Sequence, residues 1–179
     1  MICALGCYSF TENSAYRIAI SLRKQKLYLL DNTNGHIVKI YPISSSKFGI
    51  GNKFGSNKTP IGKLEVAKKI GNGAPLGTIF KCRINTGKIS LIYTNRIAID
   101  DDRVLTRIMW LKGLEKKVND NSFERYIYIH GTPEEGLIGE RASHGCIRMC
   151  NRDVIELFDA VTVGTIVDIK YEDIKEPLL

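Results

Sequence analysis

A period-two alternation of apolar and polar residues, interrupted every few residues by turn formers, is the feature that most restricts what this chain can fold into. From Tyr16 the segments YRIAISL and KLYLLD alternate on either side of Arg23-Lys24-Gln25, which predicts two paired strands. Asn34-Gly35 is a hairpin signal, and HIVKIYPIS adds a third strand before the serines at 44–46 break the pattern. The glycine-rich stretch GIGNKFGSNKTPIGKLEV reads as a loop that resolves into a strand at Lys63. More strands are expected over 78–83, 89–99 and 107–111, separated by Asn85-Thr86-Gly87 and by the acidic trio at 100–102. An exposed loop at 119–122 then precedes YIYIH, whose alternation puts His130 on one face with Tyr126 and Tyr128. One helix stands out. Asn151 is placed to cap it, Asp153 complements its positive end, and Val154, Leu157, Phe158 and Val161 keep helical spacing until Gly164. A last strand follows at 165–170. Many strands with one clear helix predict a mainly β, single-domain sandwich or barrel-like fold, and not alternating βαβ units.

At 179 residues the chain is long enough for one core without disulfide or metal staples. Five cysteines, an odd number at irregular spacing, leave at least one thiol free. No apolar run is long enough for an integral membrane span. The net charge of +7 favours an anionic polymer or surface. Its basic residues are scattered in pairs such as Arg23-Lys24 and Lys68-Lys69 with no aromatic interleaving, so no nucleic-acid face is expected. The opening MICALGCYSF is apolar but lacks a basic n-region, so no complete signal peptide is visible, and 1–15 is expected to be a loosely ordered extension. Asn57 stands where a phosphate loop needs glycine before Lys58-Thr59, and the glycines at 49, 51 and 55 miss dinucleotide spacing by one. No cofactor is therefore expected.

Unusual chemistry is concentrated in HGTPEEGLIGERASHGCIRMCN, residues 130–151, which holds two of the three histidines and two of the five cysteines. Thiols attack as thiolates, so a nucleophilic cysteine needs a base and small neighbours that admit substrate. Cys146 follows Gly145, which allows a tight backbone whose N–H groups can converge on an oxyanion. His130, on a strand sixteen residues upstream, is the expected base, with its second ring nitrogen needing an orienting acceptor. His144 is expected to support the loop, and Cys150 to be structural. Trp110, the single tryptophan, is expected to anchor the core or a groove. A zinc site from His130, His144, Cys146 and Cys150 is the rival chemistry, but no Cys-x-x-Cys knuckle is present, so no metal is expected.

His130-Gly131-Thr132, Ile138-Gly139, then SHGCIRM at 143–149 and Asn151 resemble the signature of the L,D-transpeptidase (YkuD, ErfK-like) catalytic domain. Thr59-Pro60-Ile61-Gly62 before a strand resembles that family's upstream segment, and the likeness covers roughly 16–170, with 171–179 a tail. The resemblance implies a β-rich fold and a cysteine that attacks the meso-diaminopimelate carbonyl of a peptidoglycan stem tetrapeptide. It releases D-alanine, forms a thioester and passes the acyl group to an amine, giving a 3→3 cross-link or attachment to an amine-bearing protein. On matching positions Cys146 is the nucleophile, His130 the base, and the Gly131 carbonyl the orienter. Ser143, His144 and Gly145 shape the oxyanion pocket, while Arg148 and Tyr128 bind substrate, Arg148 through a carboxylate. The implied location is the cell envelope or periplasm. Water as acceptor makes the alternative an L,D-carboxypeptidase, and loss of turnover makes it a wall-binding module. The segment between Ile99 and Tyr126 is longer than a minimal catalytic domain requires, and acceptor choice is expected to reside there.

Overall fold

The computed structural model describes residues 14–99 and 102–174. The chain opens with a meander of β1 (Tyr16–Ser21), β2 (Lys26–Asp31) and β3 (Ile37–Pro42), paired antiparallel as the alternation predicts. The glycine-rich loop leads into β4 (Gly62–Ile70), and a hairpin follows from β5 (Thr78–Lys81) and β6 (Ile84–Ile89). Next come β7 (Val104–Gly113), β8 (Tyr128–Gly131), a 3-10 turn at Glu135–Leu137, β9 (Ile147–Met149), α1 (Asn151–Ala160) and β10 (Ile166–Lys170). These strands join in one sheet of order β3-β2-β1-β10-β4-β7-β5-β6, which forks at β7 so that β8 and then β9 branch off it.

Alternation sends one face of this curled sheet into a common core. Ile18, Ile20, Leu27, Leu64, Val66 and Val167 meet Met109, Leu111, Ile129 and Met149 there. The helix closes it with Val154, Leu157, Phe158 and Val161, the residues at helical spacing. On the other side of β7 and β8 a smaller aromatic cluster of Phe80, Ile108, Trp110 and Tyr128 packs with Cys146 against it. The site described next lies on this second side.

Local expectations fail where a long-range contact outbids a local signal. The hairpin turn is not at Asn85-Thr86-Gly87, which lies within β6, but at Cys82-Arg83, both with positive φ. Residues 90–99 form no strand after β6 ends at Ile89. Tyr126 is not in the alternating strand, because it closes a turn at φ 58°, its N–H bonded to the Phe123 carbonyl, and β8 starts at Tyr128. Asn151 is the first residue of α1 instead of its cap. Its side chain is buried, donating to Thr132 O (2.8 Å) and Glu135 Oε1 (2.7 Å), and Glu135 also accepts its backbone N–H at 2.7 Å. Glu135 thus supplies, from another segment, the negative charge that a helix N-terminus favours.

Candidate active site

Two short parallel strands build the site. β8 and β9 pair with Ile129 opposite Ile147, His130 opposite Arg148 and Gly131 opposite Met149. Side chains alternate along a strand, so Ile129, Ile147 and Met149 enter the main core, while Tyr128, His130, Cys146 and Arg148 share the opposite face. The sequence-predicted cysteine and histidine are thereby brought to one face of neighbouring strands. Cys146 lies one residue ahead of β9 and keeps partial exposure to solvent. Its sulfur accepts from the Tyr128 N–H and donates to the Tyr126 carbonyl, both at 3.4 Å. Among the described residues it makes no hydrogen bond to His130.

His130 is buried, and its Nδ1 lies 2.7 Å from the Gly131 carbonyl. That contact requires Nδ1–H to donate, so Nε2 is the ring's acceptor. Burial lowers the imidazole below its ordinary range despite the opposing Asp102 charge. Burial, with the Asp102 carboxylate second, pushes the Cys146 thiol up to about 12, against the Tyr128 N–H, Arg148 and Arg125. Both shifts favour the neutral form of each group. Gly131 is glycine for a steric reason: a Cβ there would lie 2.3 Å from Asn151 Oδ1 and 3.0 Å from the Leu105 carbonyl.

The turn that presents Cys146 is locked by small polar side chains. Ser143 is buried and donates through Oγ to the Cys146 carbonyl at 2.6 Å while accepting the Gly145 N–H at 3.2 Å. Gly145, at φ +123°, sits where L side chains are strained, and its carbonyl accepts from Thr59 Oγ1 at 3.0 Å. Thr59 accepts the Ser46 N–H in turn, so the upstream Thr-Pro segment acts as an anchor of this turn. With the His144 N–H on Asp102 and the Gly145 N–H on Ser143, the Cys146 N–H is the turn's donor without a partner among the described residues.

Arg148 does not fit the substrate-binding expectation. Its guanidinium is 1% exposed and ion-paired to Asp102 Oδ1 (2.7 Å) and to Glu134, which itself accepts the Ile99 N–H at 2.6 Å. A buried guanidinium ion-paired through its two terminal nitrogens to two protein carboxylates is placed as a tie between segments of the fold. His144 is exposed, with Nδ1 2.8 Å from Asp102 Oδ2 and its ring 5.5 Å from that of Phe48. Tyr128 lies at the site, ring edge-on to Trp110 and to His130.

Sequence reasoning missed two residues that bear on Cys146. Asp102 joins Arg148 and His144 and bears on both His130 and Cys146. Burial works to raise its carboxyl, but Arg148, then His130 and His144, hold it below the usual carboxylate range. Its only sequence signal is membership of an acidic trio, which reads as a separator. Arg125 pins the glycine-rich loop beside Cys146 through the Lys58 carbonyl (2.6 Å) and the Gly51 carbonyl (3.2 Å), and no local motif announces it. Among the described residues no group of three or more His, Cys, Asp or Glu side chains is arranged to hold a metal ion.

Comparison with known proteins decides the family. The sequence model of the L,D-transpeptidase catalytic domain, YkuD, matches residues 15–169. The chain belongs to the L,D-transpeptidase catalytic-domain family. L,D-transpeptidase YkuD of Bacillus licheniformis is 31% identical over 155 residues, covering 86% of this chain and 65% of the relative. Its Bacillus subtilis counterpart is 30% identical over the same shares. This chain therefore spans less than two thirds of the length of these L,D-transpeptidase relatives. An L,D-transpeptidase from Xylanimonas cellulosilytica superposes with a TM-score of 0.52 at 20% identity, over 88% of this chain and 61% of that one. LdtMt1, an L,D-transpeptidase solved in complex with imipenem, gives 0.53 at 21% identity over 88% and 59%. These structures share the fold of the mainly β domain described above.

Proposed function

We propose that this protein is a peptidoglycan L,D-transpeptidase whose catalytic domain spans 16–170, with Cys146 as nucleophile and His130 as base. The reading is carried by one observation: a partly exposed thiol and a buried histidine with Nε2 as acceptor share a face of adjacent parallel strands. Burial disfavours the charged form of both groups, which supports a proton that leaves Sγ for Nε2 as the sulfur attacks over a standing ion pair. Attack on the meso-diaminopimelate carbonyl of a stem tetrapeptide forms the C–S bond and an oxyanion, for which the Cys146 N–H is the available donor. Collapse breaks the C–N bond, and the imidazolium returns its proton to the departing D-alanine amine, leaving a thioester. An amine acceptor, on a second stem or on a protein, loses a proton to His130, attacks the thioester and frees the thiol. The Gly131 carbonyl keeps the imidazole in the required tautomer throughout. Such a substrate places the enzyme's work at the cell envelope. Among the described residues no helix is long and apolar enough to cross a membrane.

Incubation with a tetrapeptide muropeptide tests this directly. Intact-mass and peptide-mapping spectra are expected to show an acyl adduct on Cys146, lost in Cys146→Ala, followed by a cross-linked product when an amine acceptor is added. Product that contains only hydrolysed tripeptide would favour water as acceptor, and an adduct surviving in Cys146→Ala would remove the nucleophile assignment. Imipenem, which the solved LdtMt1 carries, provides a second acylating probe.

A further inference from the structure

Arg83 has no carboxylate partner among the described residues, yet it stands beside the groups that hold Cys146. It occupies the two-residue turn between β5 and β6, where Cys82 and Arg83 adopt φ 49° and 68°. Glycine, asparagine or aspartate usually fill such positions, so a long cationic side chain is held there against backbone preference. The turn lays the guanidinium on an aromatic platform. Its Cζ lies 4.8 Å from the ring centroids of both Trp110 and Tyr126, and Nη1 donates to Tyr128 Oη at 3.2 Å. The same two tyrosines contact the sulfur, Tyr128 through its N–H and Tyr126 through its carbonyl. Lys68 adds a second cation, its Nζ 5.6 Å from the Trp110 ring.

We propose that Arg83 receives a carboxylate of the donor stem peptide and makes the enzyme selective for donors that carry it. The proposal rests on the transpeptidase reading above. Such a donor bears the α-carboxylate of the terminal D-alanine one residue beyond the attacked carbonyl, and another carboxylate on the diaminopimelate residue itself. An extended residue spans about 3.5 Å, which sets the terminal carboxylate just beyond the attacked carbonyl, while the diaminopimelate carboxylate lies farther out at the end of that residue's own side chain. The guanidinium presents several N–H donors in a planar fork matched to a carboxylate, and its one hydrogen bond to Tyr128 leaves most of them free. The aromatic rings beneath it displace water on one side, which strengthens a charge-assisted contact on the other.

Three donors separate the possibilities: the tetrapeptide acid, its C-terminal amide, and the form amidated on the diaminopimelate side chain. Acylation of Cys146 by each is followed in the parent protein, Arg83→Gln and Arg83→Lys. The parent is expected to favour the acid over one of the amides by about tenfold in kcat/KM, mostly through KM, and that amide identifies the carboxylate. Arg83→Gln is expected to lose the preference, the acid falling to the amide's level, and Arg83→Lys to recover part of it. The ratio is internal to each variant, so partial unfolding does not alter it. An unchanged preference in Arg83→Gln, an equal fall for acid and amides, or no preference in the parent overturns the proposal. If the parent forms no adduct with any donor, the transpeptidase reading fails as well, and that outcome is distinct from the others.

Discussion

Arg148→Met separates a structural arginine from a substrate-binding one. Methionine approximates the length of the side chain but leaves Asp102 and Glu134 without their shared cation, and Glu134 is almost wholly buried. Removing one partner of a buried ion pair costs about 3–5 kcal/mol, because the remaining charge is stranded away from water. At roughly 2–4 °C per kcal/mol for a domain of this size, the melting temperature is expected to fall by about 6–20 °C. The sign of the pH dependence follows from Asp102, whose folded carboxyl is held below the usual range, with Arg148 the largest favourable influence. A depressed carboxyl stabilises the fold above its unfolded pKa of about 3.9, and that contribution fades as pH falls through the folded value. The penalty of Arg148→Met is thus expected to be full at pH 7 and to shrink in acid. Adding Glu134→Gln, which removes one stranded charge, is expected to restore part of the loss. Thermal denaturation of the parent, single and double variants at pH 7 and at about pH 2–3, below the unfolded carboxyl pKa, measures all of this. A variant that melts with the parent while its KM for the donor rises would refute the reasoning and return Arg148 to the substrate.

Three further outcomes follow from the geometry. With the thiol pushed up to about 12, alkylation at Cys146 mapped by mass spectrometry is expected to climb steadily through pH 9–10; a plateau below pH 7 would mean a standing thiolate–imidazolium pair. His130→Gln is expected to lower acylation by about 10²–10⁴-fold with little change in melting temperature, and full activity would remove it as base. Thr59→Val strips the hydroxyl that joins Ser46 N–H to the Gly145 carbonyl, so a loss of about 1–3 kcal/mol is expected by chemical denaturation, along with slower acylation; an unaffected turn would contradict the anchor role.

What could be seen in the sequence followed from locality. The strands of the meander and the apolar stripe of α1 are readable because burial of one face imposes a period within a few residues. His130 and Cys146 stand out as candidates because their residue types cluster in one segment, although their placement on one face depends on a parallel register that no local rule supplies. Asp102, Arg125 and Glu135 were not readable, since each acts on a partner from a distant segment: Asp102 on Arg148, Arg125 on the Lys58 carbonyl, Glu135 on Asn151. The ion pairs of Arg148 are unreadable for the same reason. An arginine beside a nucleophile suggests a substrate carboxylate until two carboxylates of the protein are found to occupy it.

Parallel register also accounts for the spacing of the motif. Antiparallel neighbours can be joined by two residues, but parallel ones need a crossover of about a dozen or more. Placing His130 and Cys146 on the same face of adjacent parallel strands therefore requires a connection of the kind found between Gly131 and Ile147. That connection is not inert. It carries Glu134, which holds Arg148, Glu135, which caps α1 from outside, and Ser143, which clamps the turn at Cys146. Shortening it would be expected to shift the register of β9 by whole residues and turn Cys146 from the polar face into the core, since a one-residue slip exchanges the faces of a strand. A deletion within the crossover is therefore expected to abolish acylation at Cys146 even where the domain still folds, whereas a deletion of equal length in the exposed β6 strand is expected to leave the register of the site intact.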